Sequence, residues 1–345
     1  MKVQVLRLVN HKIVVAGCGG MSHTWIEYAL QRKNAEIVGL VDLQTETAAA
    51  LAEKFTLNVP VFSDLTEAIK NTGANLVFDI TIPAAHPMIV STALKLNCHV
   101  FGEKPMAETL DAAKDLVLAS ELSGKRYTVM QNRRYNKQIR AYQELLQSGV
   151  IGKIGSLHAS FFLGPHFGGF RDMMDNPLIV DMAIHTFDQA RFLLQANPVS
   201  VYCHEYNPPG SWYKGNASAI CIFEMDDGSV FTYNGSWCAE GLQTSWESDW
   251  RATGSLGSGA WDGINTPYAE RKDSSDENSF IYPVKKQVFE GSWNGQEGHW
   301  GCLDEMFASI EANRNAETDC RDNLKSMMMV FGAVESSKKG EKIHF

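Results

Sequence analysis

The sequence has no run of lysine or arginine, no Cys-x-x-Cys pair, no internal repeat or low-complexity tract, and no stretch approaching about 18 uninterrupted apolar residues. Each absence excludes something. With 31 Lys and Arg against 40 Asp and Glu, the net charge is −9, so the electrostatic footprint of a nucleic-acid or anionic-membrane binder is missing. Without a long apolar run there is no candidate transmembrane helix. Residues 1–10 alternate apolar and polar and lack the apolar block and cleavage site of a signal peptide, which predicts an edge strand or an N-terminal extension. Seven scattered cysteines, an odd number, read as free thiols of a reducing cytoplasm, mostly filling core. What remains is an ordinary globular composition over 345 residues, about two domains' worth.

The first 130 residues alternate short apolar runs with amphipathic segments, as βα units do. Strands are predicted at 12–16, 36–42, 59–62, 76–81, 99–103 and 126–131, and helices at 24–31, 45–55, 64–70, 86–96 and 110–123, several opened by Ser, Thr or Asp. This predicts an α/β domain over 1–131, a doubly wound parallel sheet with helices on both faces. After a helix at 136–147, longer runs rich in β-branched and aromatic residues at 154–162, 199–206, 217–224 and 230–237 predict an antiparallel sheet in a second domain, 132–345. Asp226-Asp227-Gly228-Ser229 is a hairpin turn. Further helices are expected at 178–194, 301–313 and 321–338, and a mobile Gly/Ser/Asp-rich loop at 254–280.

The first strand runs into Gly17-Cys18-Gly19-Gly20-Met21-Ser22 and then a helix, a dinucleotide fingerprint with Ser in the place of its third Gly. Such a turn brings backbone close to a pyrophosphate, and the N–H groups of the helix start bind its charge. Asp42, about 25 residues past Gly17, is placed to accept hydrogen bonds from both ribose hydroxyls and to repel a 2′-phosphate. No Lys or Arg follows it over the next eleven residues, so NAD is favoured over NADP. Thr81-Ile82-Pro83 with His86, and Glu103-Lys104-Pro105, end two further strands on the side where open sheets bind ligands. Lys104, held extended before a proline with which it is able to form a cis bond, suits proton sharing beside a nicotinamide. Asp181, His185 and Asp188 share one helical face amid apolar neighbours, a buried polar group that needs partners or a task. No spacing completes a zinc site, so no metal is expected.

Taken together and in this order, the glycine loop, Thr81-Ile82-Pro83 with His86, Glu103-Lys104-Pro105 and Asp181-x-x-x-His185-x-x-Asp188 resemble the glucose-fructose oxidoreductase, inositol dehydrogenase and rhizopine-catabolism (Gfo/Idh/MocA) family. The resemblance runs from about His11 to Phe345. It implies a Rossmann domain, a C-terminal domain on an open, mainly antiparallel sheet, and homodimers or homotetramers assembled through that sheet. The chemistry it implies is hydride transfer between a hydroxyl of a sugar, cyclitol or related polyol and NAD(P). Lys104 then matches the lysine that meets cofactor and substrate, His185 the acid/base and Asp181 the helix carboxylate. Where the family often has a Gly-rich stretch and a Gly two residues before the histidine, this chain has Asn176-Pro177 and Ala183.

Further substrate contacts are expected from Arg134 and His166, with Asn132, Arg133, Tyr135 and Arg171 as other candidates. Trp237, Trp246, Trp250 and Trp261 are candidates for stacking on a sugar ring. Two other readings compete: a non-catalytic NAD-binding sugar sensor, against which Lys104, Asp181 and His185 argue, and a dehydrogenase of a larger glycoside or nucleotide sugar, of which the lack of a basic cluster disfavours the nucleotide-sugar version.

Overall fold

The computed structural model describes residues 10–273 and 279–345, and divides them into two compact units. The expectation for the first ten residues therefore falls, but for Asn10, outside the described residues. One unit runs to Asn132 and includes His299–Leu324; the other comprises Arg133–Gly298 and Lys325–Phe345.

The first unit is built on six parallel strands, β1 (His11–Ala16), β2 (Ala35–Val41), β3 (Val61–Phe62), β4 (Leu76–Asp79), β5 (His99–Gly102) and β6 (Tyr127–Val129), in the order β3-β2-β1-β4-β5-β6. Central strands such as Leu76–Asp79 are buried along their whole length, which is why they read as unbroken apolar runs rather than alternations. The helices α1 (Ser22–Gln31), α2 (Thr45–Lys54), α3 (Leu65–Thr72), α4 (His86–Lys95) and α5 (Leu110–Ser123) connect them. Local chemistry sets several boundaries. The Asp64 carboxylate accepts from Glu67 N–H at 2.8 Å and Thr109 Oγ1 from Ala112 N–H at 3.2 Å, while Gly73 and Gly124 end the same two helices in the left-handed conformation. The sheet order reverses between β1 and β4, so the loops after these strands flank a crevice at their carboxyl ends.

The second unit begins with α6 (Lys137–Gln147), capped by Asn136, and is built on a mixed sheet. Its strands are β7 (Ile154–Phe162), β8 (Pro198–Tyr206), β9 (Ser218–Met225), β10 (Val230–Ser236), β11 (Asp249–Gly254), β12 (Gly257–Trp261), β13 (Tyr268–Lys272), β14 (Val284–Val288) and β15 (Ile343–His344). Their order is β14-β13-β12-β11-β7-β10-β9-β8-β15, antiparallel at every pairing except β7 with β10, so the sheet is mainly antiparallel, as expected. The 226–229 hairpin forms as expected between β9 and β10. Between β7 and β8 the chain makes a π-helical turn, Leu178–Ala183, that continues as α7 (Ile184–Leu194). α7 covers the sheet through Phe187, whose ring lies 4.9 Å from Phe223 and 5.3 Å from Tyr233. α8 (Gly298–Glu311), which falls in the first unit from His299 onward, and α9 (Cys320–Lys339) follow.

The segment expected as a loop over 254–280 instead contains β12 and β13, with residues 274–278 outside the described set. Two of the glycines there mark crowding rather than turns: a Cβ on Gly257 would lie 2.2 Å from Glu270 O on β13, and one on Gly259 3.1 Å from Leu145. No helix among the described residues is long and apolar enough to cross a membrane, and all seven cysteines are free, six of them buried.

Candidate active site

In the first unit, Gly17 opens the turn after β1 with φ +87°, and a Cβ there would lie 2.5 Å from the Ile80 carbonyl oxygen, so only glycine lets the two loops close up. Gly19 and Gly20 are the opposite case: both are exposed, and a Cβ on either would meet nothing within 4 Å. That open space lies at the start of α1, where unpaired N–H groups and the helix dipole favour an anion. Ser22 is buried, its hydroxyl donating to Gly19 O at 2.6 Å, and so braces the loop from within; Met21 is half exposed. Asp42 is fixed from both sides, its Oδ2 accepting from Cys18 N–H and its Oδ1 from Gln44 N–H, each at 2.9 Å. Burial, reinforced by the Asp42 charge, pushes the Cys18 thiol up to about 12 and keeps it neutral.

Thr81, half-buried like Pro83, hydrogen-bonds Asp79 Oδ1 through its hydroxyl at 2.6 Å, and the fully buried His86 holds the other oxygen of Asp79 at 2.8 Å. His86 has no surface to offer a ligand; it braces the Thr81 loop from behind. Glu103 likewise turns inward, accepting from Trp25 Nε1 at 2.9 Å and from Lys104 N–H at 3.3 Å. Lys104 is half-buried and its bond to Pro105 is cis. An open glycine cradle at a helix start beside a fixed carboxylate fits a dinucleotide.

In the second unit, His185 is buried in the first turn of α7, and Asp181 sits in the π-helical turn before it. The expected i,i+4 alignment on one regular helix is therefore broken by the wider turn, a feature frequent at functional sites. Asp181 pairs with Arg171 Nε at 2.7 Å, and the Arg171 guanidinium also lies over the rings of Phe167 and Phe170 at 5.0 and 4.8 Å. Arg134, expected to reach substrate, is 5% exposed and gripped by Asp188 through two bonds of 2.6 and 2.7 Å, with Ser326 donating to the same carboxylate. That pair ties the segment before α6 to α7 and α9 and offers no free face to a ligand. His166 lies on the surface, stacked on Trp212 at 3.7 Å and 3.1 Å from Glu240 Oε1.

Of the four candidate tryptophans, Trp237, Trp250 and Trp261 are core residues; Trp246 alone is open, at 44% exposure, with Phe167 beside it at 47%. Sequence reasoning missed Glu247 and Gln189. Glu247 receives hydrogen bonds from Arg133 at 3.0 Å and Gln189 at 2.7 Å, fixing a polar edge next to Trp246. The position of Gln189 directly after Asp188 was the one available signal. No cluster of three or more His, Cys, Asp or Glu able to hold a metal occurs among the described residues.

A Rossmann unit with this cradle defines an NAD-binding oxidoreductase, and comparison with known proteins refines the class. Residues 11–131 match the oxidoreductase-family NAD-binding Rossmann fold of GFO/IDH/MocA proteins, and residues 139–260 the GFO/IDH/MocA C-terminal domain. The chain belongs to this family. An uncharacterized protein of Sinorhizobium fredii is 25% identical over 97% of this chain and 96% of its own length. An inositol 2-dehydrogenase/D-chiro-inositol 3-dehydrogenase of Lacticaseibacillus casei is 31% identical, but over 55% of each chain, so the match spans about half of that enzyme. The crystal structure of an Agrobacterium radiobacter oxidoreductase in complex with NAD+, L-tartaric acid and magnesium superposes with a TM-score of 0.84 at 20% identity, covering 97% of this chain and 98% of the other. It confirms the fold.

Proposed function

We propose that the chain is an NAD-dependent dehydrogenase of a sugar, cyclitol or related polyol. The observation that carries this reading is the presence in one chain of an open glycine cradle with a fixed carboxylate and, separately, of His185 and Asp181 at an irregular helix start rimmed by exposed aromatic side chains. The inositol dehydrogenase relative supports the polyol class. Bound NAD supplies the hydride acceptor. The N–H groups around Gly19, Gly20 and Met21 hold pyrophosphate oxygens, and Thr81 and Pro83 border the same crevice. Asp42 accepts from the ribose hydroxyls and disfavours a 2′-phosphate, which favours NAD over NADP. His185 or Lys104 takes the proton of the reacting hydroxyl. Asp181, steadied by Arg171, orients the substrate, and Phe167 and Trp246 take its apolar face.

A second copy of the chain docks, in this reading, on the open face of the nine-stranded sheet, where Tyr202 and Ile222 stand opposite one another and Tyr206 and Ile220 are also exposed. Light scattering of the purified protein tests that. The seven free thiols support a reducing cytoplasm as its location. The activity is tested by following nicotinamide absorbance with NAD or NADP against myo-inositol, free monosaccharides, anhydrosugars and simple glycosides. Reduction of NAD by one stereochemical subset supports the reading; no reduction by any polyol, in a protein that binds NAD, overturns it in favour of a sensor.

A further inference from the structure

β8 alternates between core and solvent, and at one of its core positions, where an apolar side chain is the rule, stands Glu205, 6% exposed. Its N–H donates to Ser337 Oγ at 2.9 Å and its Oε2 accepts from Asn176 Nδ2 at 3.0 Å. Its Oε1 is buried with no hydrogen-bond partner among the described residues. A carboxyl so placed is costly unless it has a task. Asn176 is the residue from which the π-helical turn starts: its carbonyl accepts from Val180 N–H at 3.1 Å, and Pro177 and Leu178 follow. The chain just before it is pinned as well, Asp175 O accepting from Asn216 N–H at 2.8 Å across Gly215, where a Cβ would lie 2.1 Å from that oxygen.

We propose that Glu205 is a positioning residue for the substrate side of the reaction, setting through Asn176 the start of the π-helical turn that carries Asp181 and leads into His185. This rests on the assignment of Asp181 and His185 to substrate. The groups facing the carboxyl are Asn176, Lys338 of α9, and the thiols of Cys203 on its own strand and Cys221 on β9. Burial pushes the carboxyl up to about 7, with the Asn176 hydrogen bond and Lys338 opposing. The neutral acid keeps the Asn176 contact in place at little cost. Above neutrality the same position holds a buried charge, the carboxylate is drawn toward water, and the turn start loosens.

The test measures amide hydrogen exchange of residues 176–185 in the full chain at pH 6 and pH 8, corrected for intrinsic rates, together with KM for NAD and for myo-inositol or the polyol that reduces NAD best. In the wild type, exchange of this segment and the polyol KM rise several-fold between the two pH values while the KM for NAD stays level. Glu205→Gln, which keeps the acceptor and cannot ionise, abolishes both steps. Asn176→Ala, which removes the hydrogen bond, raises exchange at both pH values. An exchange step that persists in Glu205→Gln, or is absent from the wild type, overturns the proposal, as does a polyol KM that follows pH equally in both proteins. If no polyol reduces NAD, the dehydrogenase reading falls, while the exchange measurement still decides whether Glu205 governs the turn.

Discussion

Glu205→Gln also has a thermodynamic consequence whose size follows from the structure. The carboxyl is raised from an ordinary value of 4.5 to about 7, chiefly by burial. Because the folded value lies above the unfolded one, the folded protein retains a proton that the unfolded chain has released between these two pH values. Stability is therefore full below about 4.5, falls as pH rises toward 7, and levels off beyond it. At about 1.36 kcal/mol per tenfold change in proton affinity, the whole loss is about 3 kcal/mol. Gln carries no charge at any pH, so the variant lacks this loss: it matches the wild type below about pH 4 and exceeds it by about 3 kcal/mol at pH 8. Urea unfolding of both proteins at half-unit pH steps, monitored by tryptophan fluorescence, reads the difference curve directly. A difference that is flat with pH, or that grows toward acid, refutes the argument that this carboxyl is buried and destabilised as a charge.

Replacing Asp42 with Ser removes the charge that opposes a 2′-phosphate, and the ratio of kcat/KM for NAD over NADP is expected to drop by one to two orders of magnitude, about 1.4–2.7 kcal/mol; an unchanged ratio removes Asp42 from cofactor selection. Lys104→Ala is expected to abolish turnover while calorimetric NAD binding stays near the wild-type value, and retained turnover excludes Lys104 from the chemistry. Asp188→Asn leaves Arg134 and Arg191 buried against a neutral amide. The cost is about 3–5 kcal/mol, read by urea unfolding, and a loss below about 1 kcal/mol would show that Asp188 is not the counter-charge.

Most of the first unit was legible because its signals are local. A buried parallel strand needs an unbroken apolar run, two of the helix starts carry a capping oxygen from Asp64 or Thr109, and a strand–turn–helix with glycines is a short contiguous string. The second unit was legible where strands alternate cleanly, as in β8 and β9, and failed where glycine was read as a turn former. Gly257 and Gly259 are glycines because of atoms on β13 and α6, which no local window contains.

The site residues divide in the same way. Residue type and spacing along the chain determined the glycine cradle and the carboxylate after the second strand, since each is written within a few consecutive positions, whereas the wider turn between Asp181 and His185 was not legible in their spacing. Only the tertiary structure decided that Arg134 is spent on Asp188, that His86 braces Thr81 from behind, that Trp246 is open while Trp237, Trp250 and Trp261 are buried, and that Glu205 reaches Asn176. A side chain's type states which bonds it is able to make. Which of them it makes depends on what the fold brings within about 3 Å, and for these residues the deciding partner lies on another element of the fold.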